Sequence, residues 1–304
     1  MSGEGFSPVP LGAMHTETAR NIIAHYAFLH PFLLHSMLAF AASRLSVQTE
    51  NIQQKESYRV LSTSLQSKAL TGFNEALPDL HGRNCVAYVL FSHTIGMHSF
   101  CETFAARGDS AGTFLENLLQ TINLLRGVRL VLSPWWKDFQ DSELGPIVRA
   151  ASAQLETASR DGPEAEELNR LFRGADISQA TQQVYAEAVQ RLQQDINAHP
   201  CVPDPENAIS SVFSWLITAP REFTNLLEER RPEALVLLAF FAIILHRHRS
   251  SPVIGDSGSY LFELIDEYLG PRWSTWLAWP RKEIMDDYTS TELQSIQDSN
   301  TTNH

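Results

Sequence analysis

The chain has 304 residues, 43% of them hydrophobic and 19% charged, a balance that reads as folded and globular rather than disordered. With 35 acidic against 23 basic side chains its net charge is −12, a field that repels polyanions and argues against direct nucleic-acid binding. Three cysteines, Cys85, Cys101 and Cys201, are too few and too scattered for a disulfide framework or a multi-cysteine zinc site.

Residues 1–14 read as a flexible lead-in without a basic start and apolar run, so an intracellular location, nuclear or cytoplasmic, is expected. Residues 15–289 then form a series of helical patterns. Ile22, Ile23, Tyr26 and Leu29 follow helical spacing, and Pro31 opens a new helix through "PFLLHSMLAFAASRL". Tyr58, Leu61, Leu65, Ala69 and Phe73 mark one stripe of a helix that Pro78 ends. A strongly apolar helix covers 84–105, and another runs to about Leu125, where Gly127 and Pro134 signal a break before Trp135 and Trp136.

"SRDGPEAE" (159–166) reads as a polar turn, 178–198 as a long helix and "HPCVPDPENA" as a proline-rich connector. A short charged helix ends at "EERRP" and leads into "RPEALVLLAFFAIILHRHR" (231–249). The uncharged run Ala234 to Leu245 is 12 residues, whereas a membrane span needs about 20, so a buried helix is expected there and no membrane span. "SSPVIGDSGS" reads as a loop, followed by a helix from Tyr260 to Leu269, the motif "RWSTWLAWP" and a disordered tail at 290–304. No period-two alternation persists. The fold class is all-α: one helical domain of about a dozen helices with a buried apolar pocket. A boundary at the proline-rich connector stays open, although the apolar helices on either side read as parts of one core.

No dinucleotide fingerprint, phosphate loop or nucleophile elbow occurs, and no cofactor is expected. Among eleven histidines, His93 and His98 stand five apart, about 140° around a helix, so they do not face a common ion. His246 and His248 are two apart, and cations at a helix C-terminus are explained by its dipole; no metal is expected. His93 shares one helix face with Leu90, Thr94, Met97, Cys101 and Phe104. It is either a satisfied core histidine or a polar group aimed into a ligand cavity. The tryptophans, Trp135 and Trp136 and then Trp273, Trp276 and Trp279, close core edges or frame a pocket mouth.

Five stretches, "LHPFLLHSMLAFAASRL", "YRVLSTSLQSKALTGFNEAL", "NCVAYVLFSHTIGMHSFC", "LLRGVRLVLSPWW" and "RPEALVLLAFFAIILHRHR" followed by "WSTWLAWPRKEI", occur in an order that resembles the C-terminal regulatory domain of fungal zinc-cluster transcription factors, in the branch of sterol uptake control proteins. The resemblance spans about residues 15 to 285 and implies an all-α ligand-binding domain around a hydrophobic pocket. The six-cysteine basic module of such factors has no counterpart here, so DNA binding is not carried over. The loop after the apolar helix lacks the tryptophans of the sterol-sensing relatives, which leaves the ligand open.

The expected function is binding of a hydrophobic small molecule, whether sterol, terpenoid or polyketide-like. Phe32, His35, Leu90, His93, Met97, Phe104, Trp135, Trp136, Phe240, Phe241 and Ile244 are the candidate lining residues. The alternative is a cyclase or isomerase of fungal specialised metabolism working in the same pocket, with His93 as its catalytic group. A homodimer or a protein partner is compatible with either.

Overall fold

The computed structural model describes residues 17–82, 84–107, 110–198 and 208–285, and those residues form helices and turns without a strand. In chain order the helices are α1 (Glu17–Leu29), α2 (Pro31–Gln48), α3 (Ile52–Ala76), α4 (Cys85–Ala106), α5 (Ala111–Leu132), α6 (Trp136–Gln140) and α7 (Gly145–Thr157). They continue as α8 (Pro163–Arg173), α9 (Gln179–Ala198), α10 (Ala208–Thr218), α11 (Arg221–Glu228), α12 (Pro232–Arg247) and α13 (Ser257–Leu269). The all-α expectation holds. Cys201 and the 1–14 and 290–304 segments lie outside the described residues.

Local chemistry sets many of the helix ends. Proline occupies the first turn of α2, α8 and α12, where its missing N–H costs nothing and its fixed φ suits the helix. The side chain of Asn51 caps α3, accepting from the Gln54 amide at 3.0 Å. Asn51→Ala is expected to destabilise the protein by about 1 kcal/mol, read as a lower urea midpoint at unchanged slope. Two ends differ from expectation. Gly127 does not break α5, which continues to Leu132, because a glycine inside a helix costs only about 1 kcal/mol against alanine. The polar turn is shorter than 159–166, since α8 begins at Pro163 with Glu164 and Glu166 in its first, dipole-favoured turn.

The tertiary contacts fall into two compact units. The first comprises the chain up to Thr157 together with Glu206–Thr218, and the second Ala158–Pro205 with the chain from Ala219 onward. In the first unit α2 lies along both α3 and α4, α4 packs on α5, and α10 packs on α5. Phe32 of α2 sits at the centre of an aromatic cluster with Phe73, Tyr88 and Phe91, ring centroids 5.2–5.9 Å away, and Phe73 stacks on Phe91 at 4.3 Å. The Tyr88 hydroxyl donates to the Ala76 carbonyl and so ties α4 to the end of α3. At Gly96 the Leu125 side chain comes so close that a Cβ would lie 2.2 Å from its Cδ2, which explains a glycine in the middle of α4.

In the second unit α12 packs on α13, α8, α9 and α11. Every residue from Ala234 to His246 is buried, so the most apolar run of the chain is a core helix. Among the described residues no single helix is long and apolar enough to cross a membrane; α1 and α2 together pass such a test but meet at a bend of 117°. The cationic end of α12 is specifically used. Arg247 reaches Glu164 and Glu283, both at 3.1 Å, and Glu164, itself buried, also accepts from Gln193 at 3.0 Å. The loop after α12 is shorter than "SSPVIGDSGS" suggests. α13 starts at Ser257, and Ser259, inside its first turn, stands 3.2 Å from Nδ1 of His246.

Candidate functional site

Helix α4 is apolar on nearly all sides, and a helix of that kind is normally enclosed. Most of it is: Leu90, Ile95, Cys101 and Phe104 are buried. His93, Thr94 and Met97, adjacent on one face between those buried neighbours, keep part of their surface accessible. His93 nevertheless lies deep. Its Nε2 is shut off from solvent without a hydrogen-bond partner, and desolvation pushes its pKa down to about 3.

The surroundings of His93 are aromatic. Its ring meets Phe213 of α10 edge-on at 5.7 Å; Phe213 meets Phe100 at 5.3 Å, and Phe100 leads through Phe104 to Phe114 of α5. With no charged group in this line of contacts, His93 is neutral at physiological pH, offering one hydrogen bond to a neutral group.

Of the sequence candidates, eight belong to the first unit. Leu90, His93, Met97 and Phe104 share α4 as expected. Phe32 lies in the separate cluster with Phe73, Tyr88 and Phe91, and His35 is half-buried on α2. Trp136 stacks on Phe139 at 5.4 Å, and Trp135 packs against the same hydrophobic core as Phe32. Phe240, Phe241 and Ile244 belong to the second unit, on α12, where their side chains are enclosed.

Two groupings escaped the sequence. Phe213 meets His93 only through tertiary contact across more than a hundred residues, with no local signal, and links it to Phe100, two turns further along α4. The second is a polar cluster between α2, α3 and α4. His98 Nε2 stands 3.3 Å from the Ser62 hydroxyl and 3.6 Å from Glu102, and Ser43 donates to the same Glu102 oxygen. The His98 imidazole beside Glu102 holds its carboxyl below the usual range, helped by Ser43. The i, i+4 spacing of His98 and Glu102 was the available signal. Both contacts of His98 use the same nitrogen, so the cluster lacks the relay geometry of a nucleophile–base pair, in which the second nitrogen binds the orienting acid. Burial raises the thiols of Cys85 and Cys101, to about 11 and about 12, which keeps both protonated at neutral pH.

His93 thus stands among aromatic side chains within an all-helical fold. Residues 6–142 match the family model described as the fungal specific transcription factor domain, so the resemblance to fungal regulatory domains holds across α1 to α6. The stretches at 231–249 and 274–285 lie outside that match. No curated protein and no solved structure matches the chain.

Proposed function

We propose that the protein is a transcription-factor-like regulatory domain that binds a hydrophobic small molecule against the His93 face of α4. The observation that supports this most is the deep, partnerless Nε2 of His93 beside half-accessible Thr94 and Met97. An orphaned buried nitrogen costs about 1–3 kcal/mol, and a ligand hydroxyl or carbonyl relieves that cost. Met97 supplies a polarisable side chain that adapts to a ligand surface. The ligand is accordingly an apolar body with one neutral polar group, a description that covers sterols, terpenoids and polyketide-like molecules. Burial of its apolar surface supplies affinity at about 25 cal/mol per Å², before the costs of binding.

Regulation follows if the occupied and empty states differ in partners or in location between cytoplasm and nucleus. The test is organic extraction of freshly purified protein followed by mass spectrometry, with a thermal-shift panel of sterols and terpenoids alongside. A stoichiometric small molecule, or a ligand-dependent rise in melting temperature, is expected from the wild type. A clean extract together with a flat panel overturns the reading. Conversion of a captured molecule on incubation would instead make the same face catalytic.

A further inference from the structure

We propose that the groove between α8 and α9 is a binding site for a short extended peptide with both termini free, about three residues long. The groove has a volume of about 620 Å³, within the range of small-molecule sites, and belongs to the second unit, whereas His93 belongs to the first. One wall is a single stripe of α8. Glu166, Asn169, Arg170 and Arg173 follow one another at steps of three, one and three, so all four project to the same side of the helix. Gln182 and Ala186, one turn apart on α9, form the other wall, and Phe172 lies at the floor. That floor is firm. Phe172 is buried, stacked on Tyr185 at 4.7 Å and tilted against Trp276 at 5.7 Å.

The polar groups of the groove are uncommitted in a pattern that selects the ligand. Arg170 is already neutralised, since it donates to both carboxylate oxygens of Glu167, at 2.9 and 2.6 Å. Arg173 uses only its Nε, on the Asn169 carbonyl at 3.1 Å, which leaves both terminal nitrogens to fork onto a carboxylate. Glu166 has no ion partner among the described residues, and the side-chain amides of Asn169 and Gln182 make no hydrogen bond there. A negative group therefore stands at one end and a positive group at the other, with two carboxamides available to the same groove. Glu166 and Arg173 are seven residues apart, about 10 Å along the helix axis. An extended tripeptide also spans about 10 Å, so its ammonium reaches Glu166 while its carboxylate reaches Arg173. A carboxamide, donor and acceptor in one plane, matches the N–H and C=O of the peptide bonds between them. A simple anion meets Glu166 and a simple cation meets Arg173, so neither suits the groove as a zwitterion does. Being neutral overall, a zwitterion is also not repelled by the −12 charge of the chain.

The test is a saturation-transfer NMR titration of the full chain with tri-alanine, its N-acetyl form and its C-terminal amide, repeated on Glu166→Gln and Arg173→Gln. Both side chains are exposed, so both variants are expected to keep the wild-type helical circular dichroism; if one loses it, the other decides. Wild type is expected to saturate with tri-alanine and to bind each blocked form about 3–5-fold more weakly, the value of one exposed ion pair. E166Q is expected to lose the same factor for tri-alanine and nothing for the N-acetyl form; R173Q loses it for tri-alanine and nothing for the amide. No saturation by about 10 mM overturns the proposal. So do blocked forms that bind as well as the free peptide, or variants that bind tri-alanine as wild type does. Saturation by maltotriose in place of tri-alanine overturns it in favour of a polyol. Failure here leaves the ligand reading at His93 untouched, because that is read from extraction of a hydrophobic molecule.

Discussion

Gly258→Ala is expected to cost about 3 kcal/mol or more and to unfold the second unit well below the wild-type urea midpoint. A Cβ at this position would lie 2.4 Å from the backbone nitrogen of His246, 2.7 Å from the Ala242 carbonyl oxygen and 2.8 Å from the His246 Cα. All three are backbone atoms of α12 and cannot rotate away. Relief requires α13 to move off α12, which exposes Leu261, Phe262 and Ile265 on one helix and loosens the fully buried Phe240 and Phe241 on the other. Overpacking usually costs 1–3 kcal/mol where side chains can adapt, and a clash against backbone belongs at or above the upper end. The measurement is urea unfolding followed by tryptophan fluorescence, which reports on Trp273, Trp276 and Trp279 as well. A Gly258→Ala midpoint equal to that of wild type would show that the two helices are not held at this distance. The control is Gly127→Ala, where nothing lies within 4 Å of the added atom; its expected effect is neutral to stabilising by up to about 1 kcal/mol.

His93→Leu is expected to do two things at once: stabilise the protein and, on the proposed function, abolish retention of the hydrophobic small molecule. Leucine removes an unpartnered buried nitrogen, worth about 1–3 kcal/mol, and keeps apolar contact with Phe213. It also changes the response to acid. The folded-state pKa of about 3 lies below the ordinary 6.5, so the unfolded chain binds a proton that the folded chain refuses. Stability is therefore full above about pH 6.5 and falls by about 1.4 kcal/mol per pH unit as pH drops towards 3. In H93L that contribution disappears. Urea midpoints at pH 7 and pH 5 for both proteins are the measurement, and an identical pH dependence in the two would remove the deep neutral imidazole from the account. Loss of the extracted molecule in H93L with a raised midpoint at pH 7 separates a ligand contact from a merely structural histidine, whose removal leaves ligand retention unchanged.

The helices themselves were largely legible. Their apolar spacing, the proline openings of α2, α8 and α12 and the cap at Asn51 are local signals, written within a few residues of where they act. The buried character of α12 was legible for the same reason, since an apolar run too short to span a membrane has no stable place but a core. Where the reading slipped, a local signal was outweighed by context. Gly127 continues α5 because the rest of the helix sustains it, and Gly258 belongs to α13 rather than to a loop because close approach to α12, not a turn, is what requires a glycine there.

The candidate site was legible only in part. Leu90, His93, Met97 and Phe104 share α4 by their spacing alone, and the structure keeps them together. Sequence left His93 balanced between a satisfied core residue and a polar group facing a cavity, because the presence of a hydrogen-bond partner depends on what other helices bring near. By itself, then, the sequence determined an all-α chain, its helix faces and its most apolar core helix, all consequences of local periodicity. Only the tertiary structure decided that Phe32 joins a different aromatic cluster from His93, that Phe240, Phe241 and Ile244 belong to another unit, and that Nε2 of His93 stays without a partner. Each of those depends on residues far apart in the chain, whose meeting is set by packing and leaves no pattern in the order of the amino acids.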